Sequence, residues 1–262
     1  MFFVVKRSKL ILAVILIAVL VLAAVLIYGG VTLSANAFAA KKLLPVYGVE
    51  REDGRVALTF DAAWGSDKTK RILDLLDEYG VQATFFLTGF WVDDNEDLVA
   101  EIASRGHLVA NHSENHLHMN ALSDAEKRSE IESVEKKIEK ILGEKPLYFR
   151  APFGEYDDSL LKLLGEKGVQ CIQWSVDSLD WKGLTGGQIA DRILSKAKSG
   201  DVILCHNNSD GILDALPLIL LGLRNKGLTP VPIDRLVYRT DYEIDGNGRQ
   251  KSIGPKETGV TV

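Results

Sequence analysis

The segment from residue 56 to residue 87 reads VALTFDAAWGSDKTKRILDLLDEYGVQATFFL. It begins and ends with short apolar runs, 56–60 and 83–87, which are typical of buried strands. Between them, residues 67–79 show the spacing of an amphipathic helix, and Gly80 follows at the junction with the second run. A strand, a helix and a strand in this order predict a βαβ unit with parallel strands.

The same alternation continues along the chain. Further strands are predicted at 108–110, 147–149, 171–176, 201–205 and 229–233, and further helices at 94–105, 123–142, 157–167, 187–198 and 212–226. Ser123 and Glu126 form a capping-box pattern at the start of the third helix, and Gly143 ends it. Seven such units predict an α/β fold, either a closed barrel or an open doubly wound sheet. Since no Gly-x-Gly-x-x-Gly follows the first strand, a nucleotide-binding open sheet is disfavoured.

The N-terminal segment differs in character from the rest. Residues 10–28 form a run of nineteen apolar or aromatic residues, preceded by Lys6, Arg7 and Lys9. This run is long enough to span a bilayer, and the basic flank predicts that the remainder is exported. We therefore expect a single-pass membrane protein with its main domain outside the cytoplasm. Secretion after signal-peptide cleavage near residues 35–39 is the alternative.

The predicted organisation has three parts. Residues 1–42 comprise a cytoplasmic stub, the transmembrane anchor and a linker, residues 43–239 form one domain, and residues 240–262 are expected to be a flexible tail rich in glycine and charge. Residues 43–262 contain 26 basic and 36 acidic residues, a formal charge of −10. This charge disfavours nucleic acid or an anionic polymer as a partner. Cys171 and Cys205 lie in apolar runs and are expected to be buried free thiols, with a single disulfide as the alternative.

Polar residues of catalytic type follow five of the seven predicted strands. In chain order these residues are Asp61, His112, His116, Arg150, Asp177, Asp180 and His206. Because the carboxyl ends of parallel barrel strands meet on one face, we expect these side chains to form one site. These residue types suit hydrolysis. A carboxylate beside an arginine can act as a base, and a histidine can act as an acid. A pair of histidines can hold a divalent ion.

Five short motifs give this chain a specific resemblance. They are Thr59-Phe60-Asp61, His112-Ser113-x-x-His116, Arg150-x-Pro152-Phe153-Gly154, Asp177-x-x-Asp180-Trp181 and Leu204-x-His206. In this order and rough spacing they resemble the polysaccharide deacetylases of the NodB-homology group, carbohydrate esterase family 4. The resemblance covers about residues 55–238. The apolar N-terminus and the variant run Asp61-Ala62-Ala63-Trp64-Gly65 are most similar to the sporulation-associated, PdaB-like branch.

The resemblance implies a distorted (β/α) barrel that removes N-acetyl groups from amino sugars of peptidoglycan or a chitin-like glycan. It implies that Asp61 is the general base, oriented by Arg150, and that His206 is the general acid, tuned by Asp180. The oxyanion and the acetyl methyl group would be received by the backbone N–H of Phe153 and by Trp181 and Leu204. His112 and His116 would bind a divalent metal, for which zinc, cobalt and nickel are equally suitable. The amino sugar and the oligomeric state stay open.

One position departs from the family pattern. The family usually has a second aspartate after the first, as a metal ligand, and this chain has Ala62 there. We expect either weaker metal binding by two neutral imidazoles or replacement of the lost carboxylate by another oxygen ligand. Asp67, Glu114 and Asn115 are the nearby candidates for that ligand.

Ala62 also motivates an alternative function, a catalytically impaired glycan-binding or scaffold protein of the spore or cell envelope. A barrel glycosidase that uses Asp61 and Asp180 is a third reading. Such enzymes need two carboxylates that flank one glycosidic bond. They have no use for the histidine pair, which disfavours this reading.

Overall fold

The computed structural model describes residues 7, 11, 14–26 and 43–254. The chain divides into two compact units, Met1–Lys42 and Leu43–Val262. Residues 14–26 are helical. No helix in the described residues is long and apolar enough to cross a membrane. The predicted anchor, residues 10–28, lies partly outside the described residues, so it stays a prediction.

Parallel strands form the main sheet of the second unit. These strands are β2 (Arg55–Ala62), β3 (Thr84–Leu87), β4 (Leu108–Asn111), β5 (Tyr148–Phe149), β6 (Gln170–Cys171), β7 (Val176–Asp177), β8 (Val202–His206) and β9 (Thr229–Val231). Seven of them follow the order β6-β5-β4-β3-β2-β8-β7, and β9 pairs with the beginning of β2. The parallel α/β architecture predicted from the sequence is confirmed.

Helices connect and cover these strands. They are α1 (Thr69–Glu78), α2 (Gly89–Asp94), α3 (Glu96–Ser104), α4 (Asp124–Leu142), α5 (Asp158–Glu166), α6 (Gly186–Leu194), α7 (Ile212–Asn225) and α8 (Ile233–Leu236). All six predicted helices are present. The capping box of Ser123 and Glu126 forms as predicted, and Gly143 ends α4 in the left-handed conformation at φ 81°. The short helices α2 and α8 were not predicted.

The strands form a half-barrel rather than the expected distorted barrel, while the expectation of about seven parallel strands is confirmed. The predicted strand 171–176 is two strands, β6 and β7, which pair with opposite ends of the sheet. Between β6 and β7 the backbone forms hydrogen bonds with Val46. The N–H of Val46 donates to Cys171 O at 2.9 Å, and the carbonyl of Val46 accepts from Gln173 N at 2.7 Å. The chain before β2 therefore takes up hydrogen bonds that a closed barrel would make between neighbouring strands.

The alternation along β2 sets the two faces of the sheet. Val56, Leu58, Phe60 and Ala62 belong to the apolar cluster formed with the helices. The neighbouring residues Thr59 and Asp61, by contrast, contact the Arg150 side chain on the other face. A period of two thus separates core-forming residues from site-forming residues on one strand.

A second, three-stranded sheet consists of β1 (Gly48–Val49), β10 (Tyr242–Ile244) and β11 (Arg249–Ser252). Most of the segment predicted to be a flexible tail is therefore ordered, and residues 255–262 lie outside the described residues. The ordering has a physical cause, because β11 pairs with β1 and Arg249 binds the buried carboxylate of Asp201 at 2.8 Å.

Cys171 and Cys205 are both buried and free, in agreement with the prediction. Burial raises the pKa of the Cys171 thiol to about 12, so this cysteine is an uncharged core residue. His107 has a structural role, since its buried ring accepts a hydrogen bond from Ala83 N at 3.1 Å.

Candidate active site

A cavity of about 730 Å³ opens at the carboxyl ends of the parallel strands. Eight of the nine predicted site residues line it: Asp61, His112, His116, Phe153, Asp180, Trp181, Leu204 and His206. The ninth, Arg150, is fully buried and reaches the site by binding Asp61. The convergence predicted from the strand ends is therefore present, while the roles assigned to single residues stay predictions.

Arg150 and Asp61 form a buried ion pair at the end of β2. Arg150 Nη1 donates to Asp61 Oδ1 at 2.6 Å and to Thr59 Oγ1 at 2.9 Å. The guanidinium also donates to the carbonyls of Ile172 and Gln173, and it lies 4.0 Å from the ring centroid of Phe86. These contacts fix the arginine, which in turn fixes one oxygen of Asp61.

The pKa of Asp61 reflects two opposing effects. Burial by itself raises the pKa of this carboxyl, but the positive charge of Arg150, together with that of His206, lowers it further than burial raises it. The net pKa lies below the ordinary value, so Asp61 is an anion at neutral pH. Its second oxygen, Oδ2, lies 3.5 Å from His112 Nε2. An ionised carboxylate with a lone pair directed at the cavity is suited to accept a proton.

His112 is held with one ring nitrogen directed into the site. The Nδ1 atom lies 2.8 Å from the carbonyl oxygen of Arg150, a contact that a protonated Nδ1 makes as a donor. Burial lowers the pKa of His112 below its ordinary value, despite the opposing charge of Asp61. A neutral ring with Nδ1–H occupied leaves Nε2 as an acceptor or metal ligand on the side of Asp61.

His116 lies beside His112, with ring centroids 4.9 Å apart. Burial lowers the pKa of His116 to about 4. Its Nδ1 atom is buried and has no hydrogen-bond partner among the described residues. Both rings lie on the loop that follows β4, and His116 itself adopts φ 54°.

His206 and Asp180 form the second charged pair of the site. Asp180 Oδ1 lies 2.7 Å from His206 Nδ1, and Asp180 Oδ2 accepts the backbone N–H of His206 at 2.8 Å. Burial lowers the pKa of His206, but the hydrogen bond and the charge of Asp180 outweigh it, and the net pKa is raised. A histidine whose protonated form is stabilised by a carboxylate is suited to act as a general acid.

Backbone strain is concentrated around this cavity. Ser113, His116, Phe153 and Leu179 all have positive φ, and they account for four of the five such non-glycine residues among those described. The left-handed conformation is costly for residues with a side chain and persists where the surrounding contacts enforce it. These residues flank the histidine pair, the Pro152–Gly154 turn and Asp180.

Ala62 is fully buried in the apolar cluster and does not line the cavity. The three candidates to replace a lost carboxylate ligand also lie elsewhere. Glu114 binds Lys137, Asn115 binds Glu130 through Nδ2 at 2.7 Å, and Asp67 is exposed outside the cavity lining. None of these three residues lines the cavity beside the histidine pair, so a substituting ligand among them stays a hypothesis without support from their positions.

The donor set fits a divalent ion only in part. His112 Nε2 and the unpartnered His116 Nδ1 show that imidazole nitrogens are available. Yet the described residues contain no group of three or more His, Cys, Asp or Glu side chains placed to hold a metal. Catalytic zinc sites ordinarily use three protein ligands. Two imidazoles give a site that is one ligand short.

Several cavity residues were not predicted as site residues. Trp64, Trp174, Asn207, Asn208, Ser209 and Asp210 line the cavity. The last four directly follow β8, so the rule that found His206 at a strand end could have found them too. Asp177 also lines the cavity, and its Oδ1 accepts the backbone N–H of Leu179 at 2.9 Å, a turn-forming contact.

Comparison with known proteins gives consistent matches. The polysaccharide deacetylase family profile matches residues 48–172. A peptidoglycan-N-acetylglucosamine deacetylase of Bacillus cereus is 36% identical over 192 residues, which cover 72% of this chain and 70% of that protein. The chain is also 31% identical to YlxY of Bacillus subtilis and spans 61% of the length of that relative.

Solved structures show the same fold. The Bc1960 peptidoglycan N-acetylglucosamine deacetylase superposes with a TM-score of 0.71 at 33% identity, covering 73% of this chain and 91% of that chain. BA3943 of Bacillus anthracis, described as a CE4 family pseudoenzyme, gives a TM-score of 0.72 at 29% identity, with 77% of this chain and 72% of that chain covered. A mutant of BA3943 is described as having restored enzymatic activity.

The motifs, the half-barrel and the sequence identity over most of a relative's length lead to one assignment. This chain belongs to the polysaccharide deacetylase family of carbohydrate esterase family 4, hydrolases that cleave the carbon–nitrogen bond of an N-acetyl group.

Proposed function

We propose that this protein removes N-acetyl groups from amino sugars of an extracytoplasmic glycan, of the peptidoglycan or spore cell wall type. The observation that carries the proposal is that one cavity contains two opposite kinds of charged pair. Burial raises the pKa of Asp61, but the Arg150 guanidinium brings it below its ordinary value; burial lowers the pKa of His206, but the Asp180 carboxylate brings it above its ordinary value. A carboxylate that can accept a proton and an imidazolium that can donate one are the pair that amide hydrolysis needs.

In this proposal, Asp61 Oδ2 takes a proton from the water that attacks the carbonyl carbon of the acetyl group. The Pro152–Gly154 turn, with the backbone N–H of Phe153, receives the developing oxyanion. As the carbon–nitrogen bond breaks, His206 gives its proton to the departing amine. The products are acetate and a free amino sugar.

His112 and His116 are the residues that would hold a divalent ion such as zinc, cobalt or nickel. When bound, such an ion would polarise the acetyl carbonyl and acidify a bound water. With Ala62 in place of a carboxylate, we expect the ion to bind more weakly than at a site with three protein ligands.

We further propose that the domain acts outside the cytoplasmic membrane. The apolar run 10–28 and its basic flank support a retained anchor, with cleavage and secretion as the alternative. The resemblance to the sporulation-associated branch supports a role in spore cell wall formation.

A second function has specific support, namely glycan binding without catalysis. It is favoured by Ala62 and by the similarity to the pseudoenzyme BA3943. The glycosidase reading is weakened, because both carboxylate oxygens of Asp180 bind His206 and neither is free to flank a glycosidic bond.

The two functions are separated by acetate release from peptidoglycan, measured with the full-length protein in detergent, with and without added Zn²⁺ or Co²⁺. We expect metal-stimulated release that Asp61→Asn lowers by at least about a hundredfold, since general base catalysis contributes about 10²–10⁴. Asp191→Asn, an exposed change on α6, should leave release unchanged. A folded protein that binds glycan and releases no acetate with either metal would support the binding function instead.

A further inference from the structure

Gln173 lies where the half-barrel is split, on the segment between β6 and β7. It is 1% exposed, and it belongs to none of the five family motifs. Its backbone N–H donates to Val46 O at 2.7 Å, so the chain before the barrel fixes its position. A buried amide side chain needs hydrogen-bond partners, and the identity of those partners shows what the residue supports.

The side chain of Gln173 binds the turn that is proposed to receive the oxyanion. Its Nε2 atom donates to the carbonyl oxygen of Gly154 at 3.2 Å. The next residue, Trp174, packs on the same glycine, since a Cβ at Gly154 would lie 2.9 Å from the indole ring. An amide and an indole that are adjacent in sequence therefore hold the end of the Pro152–Gly154 turn.

This turn needs outside support because its backbone is strained. Phe153 has φ 58° and Gly154 has φ 72°, so two consecutive residues adopt the left-handed conformation. For Phe153 that conformation is unfavourable and persists where the surrounding contacts enforce it. Gly154 N–H donates to Ala151 O at 3.1 Å within the turn, whereas the hydrogen bond from Gln173 ties the turn to the barrel.

The backbone of Gln173 binds the other half of the site. Its carbonyl accepts Arg150 Nη2 at 3.2 Å, and the carbonyl of the preceding residue, Ile172, accepts Arg150 Nε at 3.3 Å. Arg150 in turn binds Asp61, the proposed base, at 2.6 Å. One residue thus contacts the turn through its side chain and the arginine of the ion pair through its backbone.

We propose that Gln173 is a positioning residue, which fixes the Pro152–Gly154 turn relative to the Arg150–Asp61 pair. The inference rests on the proposed function for the chemical roles of the turn and of Asp61. Hydrolysis requires both to meet one acetyl group, and a small displacement of either lowers the rate steeply. Because the oxyanion develops only in the transition state, the loss of this support should lower turnover rather than substrate binding.

The test compares variants of the full-length protein in detergent, with N-acetylglucosamine pentamer as substrate and added Co²⁺. Gln173→Met keeps the length of the side chain and the backbone contacts, and it removes the amide that binds Gly154. We expect kcat for acetate release to fall about tenfold and KM to change less than about twofold. Backbone hydrogen exchange of residues 153–155 should become faster, since the turn loses its contact with the barrel.

Two further variants separate positioning from general damage. Gln173→His replaces the amide with a ring N–H donor and should recover most of the lost kcat. Gln170→Met is the matched control on β6. The Gln170 amide donates to Tyr238 O at 2.8 Å and to Tyr242 Oη at 3.1 Å, outside the cavity lining. This control should leave kcat and the exchange of residues 153–155 unchanged.

Several outcomes would overturn the proposal. They are a kcat of Gln173→Met equal to that of the wild type, an equal loss of kcat in both methionine variants, a loss matched by a rise in KM, and unchanged exchange of residues 153–155. Exchange is measured without turnover. If the wild-type protein releases no acetate, faster exchange in Gln173→Met and not in Gln170→Met would support the hold on the turn and contradict only the proposed catalysis.

Discussion

At the scale of single residues, two carboxylates with similar burial act on the site in different ways. Asp61 binds an arginine that cannot lose its proton, so the pair stabilises the carboxylate as an anion. Asp180 binds a histidine, and the pair stabilises the imidazolium. The identity of the partner, rather than the aspartate itself, therefore decides which residue accepts a proton and which one donates.

Asp180→Asn should lower the pKa of His206, because the substitution removes the negative charge and keeps the shape of the side chain. A raised pKa means that the protonated form persists to higher pH and is lost as the pH rises through that pKa. In the variant this loss should occur at a lower pH than in the wild type. Imidazole NMR titration of His206 measures the shift directly, and the alkaline limb of the acetate-release profile should move with it.

Asp177→Asn is the matched control, since Asp177 lines the same cavity and its charge is a minor contribution to the raised pKa of His206. An Asp180→Asn protein whose His206 titrates as in the wild type would show that Asp180 does not set the protonation of the proposed acid.

At the scale of elements, helix α4 positions the loop that carries the histidine pair. Ile131 O accepts Asn111 Nδ2 at 2.9 Å, and Lys137 binds Glu114. Glu130 is buried and accepts both the backbone N–H of Asn115 at 2.8 Å and its Nδ2 at 2.7 Å. The loop contains two left-handed residues, Ser113 and His116, whose conformations these contacts enforce.

Glu130→Ala should destabilise the protein by about 2 kcal/mol, since hydrogen bonds to a charged group contribute about 1.5–3 kcal/mol. Urea unfolding measures the free energy, and hydrogen exchange should show faster opening of residues 113–116. Glu139→Ala, at a more exposed position on the same helix, should change the free energy of unfolding by less than about 0.5 kcal/mol. If the two variants proved equally stable, α4 would not be the support of this loop.

At the scale of the whole domain, the C-terminal strands β10 and β11 are attached to the half-barrel through Arg249. Asp201 is buried before β8 and accepts hydrogen bonds from Arg249 at 2.8 Å, Ser175 at 2.9 Å and the backbone of Lys198 at 2.9 Å. Arg249 also donates to the carbonyl of Val49 in β1 at 2.7 Å. One arginine thus joins the small sheet to the start of β8 in the large one.

Arg249→Met should lower the free energy of unfolding by about 3 kcal/mol, because it leaves the buried carboxylate of Asp201 without its cationic partner. Chemical unfolding followed by tryptophan fluorescence measures the change. Lys251→Met removes a cation from the same strand whose partner Glu50 is exposed, and it should cost less than about 1 kcal/mol. A similarly small effect of both substitutions would mean that the β10–β11 hairpin does not stabilise the half-barrel.

Much of this architecture could be predicted from the sequence, for reasons visible in particular segments. Apolar runs such as 56–60 and helical spacing such as that of 123–142 are local signals, so strand and helix positions followed from them. The position of polar residues at strand ends was a sufficient signal to group Asp61, His112 and His206 in one site. The split of residues 171–176 was not predictable, because a continuous apolar run does not show where its pairing partner changes.

The sequence by itself grouped Asp61, His112, His116 and His206 and showed that position 62 has no carboxylate, since both depend only on which side chains follow which strands. Only the tertiary structure decided that His112 binds the Arg150 carbonyl, that Glu114 and Asn115 turn away to α4, and that Gln173 binds Gly154. It also decided that β11 is ordered by β1 and Asp201. The physical reason is that hydrogen-bond partners distant along the chain, which the local pattern does not encode, set ring orientation, protonation and order.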